Sequence, residues 1–388
     1  MLFHRVNVVE NIHSKTIILV ALSYLSLIAG FNSFNFDFGK AIQKQQNQVN
    51  YLLKVIITIV VFSFLIRYVD LFFVREMSFF NNPHANRILS VRDSKIIYIP
   101  LIIASVLKSL YFFPVIIIYS CKLQNKFLKL TAFILLFLPL VEALLKGTRK
   151  PFFDIAIILA FTILLLPKIK YNTKNTIIAL AIGIFLMWIS NILLFDRVAN
   201  KNENTFKTIL SARYNDFLEP NKCATDYILN QSKSEISRRT AITLLHLGQY
   251  TVHGFFELDQ VLKEDKISHS FGNYTFGGFR KLFNYSEVNP SPREYIYISA
   301  FGGLFLDFGW VSLIFWFLFG IFQKVIFYKA IHNIIWRPLL IYLLIINVFL
   351  LMFNYMRGSG IYPFISMFFL LILFNFLVKN DNKKSFNS

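Results

Sequence analysis

Repeated apolar stretches of membrane-spanning length are the feature that most constrains this chain. The first begins near residue 16 and the last ends near residue 378. Apolar runs of about 18 or more residues predict α-helices that cross a membrane, because in lipid the backbone polar groups must bond within the helix. Transmembrane β-strands would alternate polar and apolar residues, and these runs do not. The sequence therefore predicts an all-α, polytopic integral membrane protein.

Nine runs meet this criterion, and one long interval, 196–294, holds none. The interval separates six predicted N-terminal spans from three predicted C-terminal spans. The bounds of the nine spans are about 16–34, 51–74, 96–120, 128–145, 151–167, 176–195, 297–323, 336–356 and 360–378.

The chain is strongly basic, with 40 Lys and Arg against 21 Asp and Glu. The interval 196–294 is nearly neutral, with 13 basic and 12 acidic residues, so the excess lies mainly in short connections between spans. Such a distribution is typical of topology signals and of contacts with anionic headgroups. It does not indicate nucleic-acid binding, because no RNA-binding pattern with interleaved aromatic residues is present. The two cysteines, Cys121 and Cys223, form no disulfide framework and no metal-binding spacing.

Basic residues in the short links predict the orientation of the spans. The link 324–337 and the C-terminal tail each carry three Lys or Arg, whereas the last link carries only Arg357. The first two are therefore predicted to be cytoplasmic and the last link to lie outside. By parity the long interval and the link 146–150 also lie outside. The segment 75–95 falls outside as well although it is basic, so either a span is missed there or its charge serves a function.

Four regions follow from this topology. We expect an N-terminal transmembrane bundle, a large extracytoplasmic loop, a C-terminal group of transmembrane helices and a short cytoplasmic tail. Their bounds are 1–195, 196–296, 297–378 and 379–388.

Within the loop, the segment 239–262 has the spacing of an amphipathic helix. Its apolar residues form one stripe at helical spacing. Polar side chains follow at steps of three and four residues, so they share the opposite face. These polar residues are Thr243, His246, Tyr250, His253, Glu257 and Gln260.

Several interpretations of this polar face are open. The helix lies on the membrane with its polar face in water, or it carries chemistry. In the second case His253 is a general base, and Glu257, one turn on, holds its tautomer and raises its basicity. A metal site that adds His246 is the weaker interpretation, because no third cluster of strong ligands follows, and no metal is predicted. Gly248 and Gly254 weaken the helix and leave open a break into two pieces.

Three arginines stand in links that open on the loop's side, just before a span. They are Arg149, Arg293 and Arg357. A helix N-terminus with free N–H groups beside a guanidinium suits a phosphate group, and Pro151 and Gly147 around the first arginine suit such a turn. Each arginine alone has a simpler interpretation as a cation that contacts lipid headgroups. Because positive residues are normally depleted on this face, we favour an anion-binding role for the three together.

Ionisable residues inside predicted spans usually face the protein interior. Arg67 and Asp70 are three residues apart, so they are predicted to pair on one helix face. Asp307 lies about a third of the way into a span, and we expect it to anchor a loop or to serve packing. The other candidates are Lys108, Glu142 and Asp154.

Four short segments make the chain resemble a known family. They are Gly147-Thr-Arg149, Tyr250-Thr-Val-His-Gly254 with the following Phe-Phe-Glu-Leu, Gly303-Leu-Phe-Leu-Asp-Phe-Gly309 and Met356-Arg-Gly-Ser359. In this order and spacing they resemble segments of bacterial Wzy-type polymerases, which join oligosaccharide repeat units into O-antigen and capsule. The first third of the chain matches that family only in hydropathy.

The resemblance implies a metal-independent, GT-C-like glycosyltransferase of about 9–11 spans in the bacterial inner membrane. Donor and acceptor would both be undecaprenyl-diphosphate-linked glycans, and no cofactor is implied. The implied partners are these glycans, membrane lipids, a chain-length regulator and a flippase, and nucleic acid is not among them. Nine spans stand at the low end for the family, which again indicates a missed element in the N-terminal third.

The resemblance also distributes roles among the candidate residues. His253 would be the catalytic base and Glu257 would orient it. Four arginines would bind the diphosphate, and two residues of the loop helix would contact the glycan. The arginines are Arg149, Arg280, Arg293 and Arg357, and the glycan contacts are Tyr250 and His246.

Alternatives from other function classes stay open at this point. An O-antigen ligase would use the same chemistry with a different acceptor. A polysaccharide flippase or other transporter would show repeats and a charged path at mid-membrane, and the long loop argues against it. A membrane scaffold without catalysis would leave the three outer arginines unexplained.

Overall fold

A computed structural model gives the structure of the chain. The residues that it describes are 6–34, 46–91, 99–165 apart from 122 and 124, 205–211, 216–264, 267–277 and 296–372, with isolated residues between 173 and 195.

Helices dominate the described chain, and five of them are long and apolar enough to cross a membrane. These five cover Ser14–Asn32, Val49–Val74, Ile99–Cys121, Lys126–Lys146 and Ala300–His332. The prediction of a mainly helical protein with several membrane-length helices is therefore confirmed at this level.

Three further predicted spans correspond to shorter helices, which cover Lys150–Leu165, Ile334–Phe349 and Gly358–Ile372. The predicted span 336–356 was too long, since residues 350–357 leave the helix and form turns. Leu350 and Met356 are apolar because they are buried against protein. Hydropathy does not distinguish such burial from contact with lipid. The predicted span 176–195 lies largely outside the described residues.

The helices are labelled here in chain order. The first seven are α1 (Ser14–Asn32), α2 (Gln46–Val69), α3 (Pro83–Val91), α4 (Ile99–Leu107), α5 (Phe113–Cys121), α6 (Lys126–Lys146) and α7 (Lys150–Leu165). The next six are α8 (Thr205–Leu210), α9 (Lys222–Leu229), α10 (Glu235–Lys263), α11 (Ala300–Phe308), α12 (Ser312–His332) and α13 (Arg337–Phe349). The two strands are β1 (Val6–Val8) and β2 (Leu218–Pro220).

Two compact units make up the chain, and each combines segments that are distant in sequence. The first unit contains Met1–Phe36, Leu194–Val325 and Ile346–Gly360. The second unit contains Asp37–Leu193, Ile326–Ile345 and Ile361–Ser388. The helices α12 and α13 cross the boundaries between these segments.

In the first unit, the N-terminal segment is fastened to the long loop. Strand β1 pairs antiparallel with β2, with Val6 opposite Pro220. Next to β2, the ring of Phe217 stacks on Phe256 of α10 with centroids 6.1 Å apart. The side-chain amide of Gln249 donates to the Leu218 carbonyl at 2.7 Å. The beginning of the chain and the loop helix α10 therefore share one packed region.

Asp259 of α10 joins this loop helix to the start of α1. Its Oδ1 accepts hydrogen bonds from the His13 N–H at 2.8 Å and from the Thr16 hydroxyl at 2.5 Å. Lys263 lies 3.0 Å from its Oδ2. Burial by itself raises the pKa of Asp259, but these hydrogen bonds lower it below its usual value. The free N–H groups of a helix N-terminus also favour a carboxylate there.

At Gly254, the backbone of the loop helix contacts the backbone of two other segments of the first unit, at residue 299 and at residues 351 and 352. The Ser299 N–H donates to the Gly254 carbonyl at 3.3 Å. The Ala300 N–H donates to the Leu350 carbonyl at 2.8 Å, and the Asn354 N–H donates to Ile298 at 2.9 Å. This approach requires glycine at 254, since a Cβ there would overlap the carbonyl oxygens of residues 351 and 352.

In the second unit, the turn between α6 and α7 carries the first of the predicted anion-binding arginines. Gly147 ends α6 in the left-handed conformation, with φ of 59°, and Thr148 N–H bonds back to Ala143 at 2.9 Å. Glycine is therefore needed at 147 because the C-cap of α6 adopts the left-handed conformation, which costs other residues free energy. Pro151 stands in the first turn of α7, as predicted.

We predict opposite effects for alanine at the two glycines of α10. Gly254→Ala should lower the free energy of unfolding by about 1–3 kcal/mol, because the added methyl group has backbone atoms in its place. Gly248→Ala is the matched control, since a Cβ at 248 meets nothing within 4 Å. That change should leave stability equal or raise it by about 1 kcal/mol through helix propensity. Thermal unfolding of the purified protein in detergent measures both, and equal shifts would contradict the packing described at Gly254.

We also expect the docking of α10 on the start of α1 to weaken in acid. A carboxylate with a lowered folded-state pKa stabilises the fold above its ordinary pKa, here 3.8, and that contribution disappears as the pH falls through the lowered value. Protease cleavage near residues 6–13 should therefore increase below pH 3.8. Asp259→Asn should show raised cleavage at neutral pH and a smaller acid response. Asp226→Asn, at an exposed aspartate of the same loop, should behave as the unmodified chain.

Candidate functional site

The loop helix α10 is continuous over 29 residues, so neither glycine breaks it. Its N-terminus is capped by the Ser234 hydroxyl, which accepts from the Ser237 N–H. Tertiary contacts at Gly254 stabilise the helix at the position where propensity alone is weakest. The predicted helix over 239–262 is therefore present and extends by one residue at its C-terminal end and by four at its N-terminal end.

The face that carries the candidate residues is buried in the protein. His246, His253 and Glu257 are 3%, 6% and 3% exposed. The interpretation in which this polar face lies in water is therefore wrong. Helices α1 and α11 pack against α10. Burying polar side chains costs desolvation free energy, which hydrogen bonds must offset unless the side chains are retained for function.

The predicted pairing of His253 with Glu257 is present. The Nε2 atom of His253 lies 3.3 Å from Oε1 of Glu257, one helical turn away. This distance is within ion-pair range, but the contact does not have the geometry of a hydrogen bond to Oε1. The pair therefore has the spacing of a histidine base and an orienting carboxylate without that hydrogen bond.

Tyr274 contacts one of the predicted arginines. Its hydroxyl lies 3.1 Å from a guanidinium nitrogen of Arg357, whose central carbon is 4.0 Å from the tyrosine ring centroid. Burial raises the pKa of Tyr274 to about 12, with smaller effects in the same direction from Asp307 and Glu257, while Arg357 lowers it. Arg357 is thus in direct contact with this phenol, and the charge of Glu257 has a smaller effect on its pKa. That phenol stays protonated at neutral pH and offers an O–H donor.

Asp307 of α11 holds the turn on which Tyr274 stands. It is fully buried and accepts three hydrogen bonds. The donors are Ser270 Oγ at 2.5 Å, the Tyr274 N–H at 2.8 Å and the Thr275 N–H at 2.9 Å. The expected loop-anchoring role of Asp307 is therefore confirmed.

The link that carries Arg357 is tied to the same turn. Asn354 donates from Nδ2 to the Thr275 hydroxyl at 2.9 Å, and the Gly358 N–H donates to the Thr275 carbonyl at 3.2 Å. A Cβ at Gly303 of α11 would overlap the Asn354 amide, so glycine lets these segments meet. The contacts join the loop to the link that carries Arg357.

The remaining candidate residues have different outcomes. Tyr250 is partly buried, and its ring stands edge-on to His246 with centroids 6.3 Å apart. Arg149 is partly buried and belongs to the second unit. Arg280 and Arg293 lie outside the described residues. Within the described ranges no group of three or more metal-ligating side chains occurs, so the alternative with His246 as a third ligand finds no support.

Sequence reasoning missed the residues between the pair and the arginine. Tyr274, Thr275 and Asn354 lie in segments without periodicity, and their contacts join positions 79 and 83 residues apart. The one available signal was Asp307 itself, because a buried carboxylate inside a span needs donors. That signal indicates a polar turn nearby without saying which one.

The chain was compared with family models, with curated proteins and with solved structures, and none of the three comparisons gives a match.

We predict that Asp307→Asn loosens the turn 270–275 selectively. The amide group cannot replace a carboxylate that accepts three hydrogen bonds, two of them from backbone N–H groups. Hydrogen exchange at the backbone amides of residues 274 and 275 should accelerate by about tenfold or more, since hydrogen bonds to charged groups are the strong ones. Asp226→Asn serves as the control and should leave these amides unchanged. Unaltered exchange in Asp307→Asn would show that the turn is held by other contacts.

Proposed function

We propose that the chain is a polytopic glycosyltransferase that polymerises undecaprenyl-diphosphate-linked repeat units into O-antigen or capsular polysaccharide. The proposed location is the periplasmic face of the bacterial inner membrane. The observations that carry the proposal are a buried histidine–carboxylate pair and, in the same compact unit, a guanidinium that donates a hydrogen bond to Tyr274. The motif resemblance and the membrane-length helices support it further.

The proposed reaction needs a base and an anion-binding group. A sugar hydroxyl of the acceptor attacks the anomeric carbon of the donor chain, and the bond from that carbon to the lipid diphosphate breaks. His253 takes the proton of the hydroxyl, while Glu257 keeps the imidazole in the required tautomer. The diphosphate leaves with the electron pair of the broken bond, and its negative charge is stabilised by Arg357.

Tyr274 takes a positioning role in this proposal. Its neutral hydroxyl and the guanidinium of Arg357 lie together, so both can donate to one anionic oxygen. The raised pKa keeps the phenol from adding a negative charge beside the diphosphate. Asp307 does not touch the substrate and acts by holding the turn in place.

The other candidates complete the proposal. Arg149, Arg280 and Arg293 are proposed as further contacts of the lipid diphosphate, and His246 and Tyr250 as contacts of the glycan. The burial of His246 beside a partly buried tyrosine is compatible with a polar contact inside a closed pocket. A ligase would use the same residues with a different acceptor, so the product distinguishes the two reactions.

We predict that His253→Ala and Arg357→Ala each reduce polymerisation by about a hundredfold or more, because a base and a charge-stabilising donor each contribute at that scale. Tyr274→Phe should cause a smaller loss and leave the protein inserted in the membrane. The matched controls are His84→Ala and Arg87→Ala, which remove the same side chains from exposed positions in α3. Full activity of His253→Ala would show that His253 is not the general base. Full activity of Arg357→Lys would show that bidentate phosphate contact is not needed.

The readout is the length of surface glycan on a gel after deletion of the chain and re-expression of each variant. Loss of a polymerase leaves single repeat units on the acceptor and removes long chains. Loss of a ligase removes even the single repeat and lets lipid-linked glycan accumulate. Unchanged chain lengths with repeat units retained in the cytoplasm would replace the proposal by a flippase.

A further inference from the structure

The second unit contains a cluster of six ionisable side chains, which we call the cationic cluster. Five of them come from three of the helices that are long enough to span a membrane, and the sixth, Arg75, directly follows one of these helices. The members are Arg67, Asp70, Arg75, Lys108, Glu142 and Lys146.

Two carboxylates organise the cluster. The Asp70 carboxylate lies 2.7 Å from a guanidinium nitrogen of Arg67, and this pairing was predicted from their spacing. The same carboxylate lies 2.9 Å from a guanidinium nitrogen of Arg75. Glu142 of α6 lies 2.5 Å from the Lys108 ammonium. It is also 3.5 Å from Lys146 and 3.6 Å from Arg67, so the two carboxylates form one connected network.

The charges in this network do not balance. Among the residues that the structure describes, four cations share two carboxylates, which leaves two positive charges in excess. The side chains are only 8–24% exposed, so water screens them weakly. Uncompensated charge of one sign costs free energy in a low-dielectric region, and intramembrane charges are normally paired. The excess indicates that an anion belongs to the cluster.

Arg67 has a donor that points to the same conclusion. Its Nε atom is buried, and it has no hydrogen-bond partner within the described residues. The Glu142 oxygen at 3.6 Å is too far for a hydrogen bond. A buried guanidinium N–H without a partner is rare, because it loses the hydrogen bonds of water and gains none in return.

Two helices depart from α-helical geometry where they meet the cluster. Asp70–Val74 at the end of α2 forms a π-helical turn, in which the Arg75 N–H bonds to the Asp70 carbonyl at 2.9 Å. This turn places the Arg75 side chain on the Asp70 carboxylate. Lys108–Phe112, between α4 and α5, is a 3₁₀ segment that precedes Pro114, whose missing N–H cannot continue the α-helical pattern. Such irregular turns are frequent at functional sites.

We propose that the cationic cluster binds a phosphoryl group carrying about two negative charges, as a phosphate ester does near neutral pH. Arg67, Lys108 and Lys146 are its direct contacts, and Glu142 and Asp70 keep their side chains apart and in place. The phosphoryl group belongs either to a lipid headgroup or to a soluble phosphate. This site is made of residues of the second unit alone and does not rest on the proposed glycan chemistry.

The test is thermal unfolding of the full chain in a maltoside detergent, which contains no phosphate. Inorganic pyrophosphate is added in one arm, and a phosphatidic acid is added to the micelles in the other, with sodium chloride matching the ionic strength. We expect at least one anion to raise the unfolding temperature. A response to pyrophosphate assigns the site to a soluble group, and a response to the lipid alone assigns it to a headgroup.

Variants connect that response to the cluster. Lys146→Gln removes one charge at the longest of the lysine–glutamate contacts, so it should fold and unfold at an equal or higher temperature without anion. The anion concentration at half-maximal response should rise about tenfold or more, as expected for a lost charge-assisted hydrogen bond. Lys108→Gln provides a second variant with the same expectation for the anion. Lys54→Gln, at an exposed lysine of α2, is the control of equal charge and should keep the full response.

Two results would overturn the proposal. The first is the absence of any shift in the unmodified chain with both anions. The second is an equal anion response in the unmodified chain and in the cluster variants, which would place the binding elsewhere. Failure in either way leaves the glycosyltransferase proposal untouched, because that proposal depends on glycan length and on residues outside the cationic cluster.

Discussion

The first unit depends on the buried carboxylate of Asp307, both oxygens of which accept hydrogen bonds. Asp307 stands inside a membrane-length helix and accepts hydrogen bonds from one side chain and two backbone groups of the turn 270–275. In a low-dielectric interior such bonds are strong, and an unpaired carboxylate would be very costly. The turn is therefore fixed relative to α11. Tyr274 is fixed with it, and so is the place where Arg357 meets the loop.

The two units deal with buried charge in different ways. In the first, Asp259 and Asp307 each accept hydrogen bonds from a distant segment. In the second, four cations gather around two carboxylates, and the surplus positive charge is left to a ligand of opposite sign. Both arrangements follow from the same rule, since charges away from water persist only where partners or function hold them.

Several elements could be predicted from the sequence because they depend on neighbours three or four residues apart. Hydropathy indicated the membrane-length helices, and periodicity placed His253 and Glu257 on one face of a helix. The same spacing gave the pair of Arg67 and Asp70. The end of the helix at Phe349 was not predictable in this way, because the apolar residues after it are buried in turns. Apolar composition reports burial and does not distinguish protein from lipid as the surroundings.

The sequence by itself determined that this protein is built from membrane-length helices with one helix-bearing loop, because length, hydropathy and helical period are local properties. Only the tertiary structure decided that the candidate residues on the polar face of that helix are buried and that Tyr274 contacts Arg357. It also decided that Lys108 and Lys146 share Glu142 with Arg67. Contacts between residues tens of positions apart depend on how whole helices pack, and no local pattern encodes that packing.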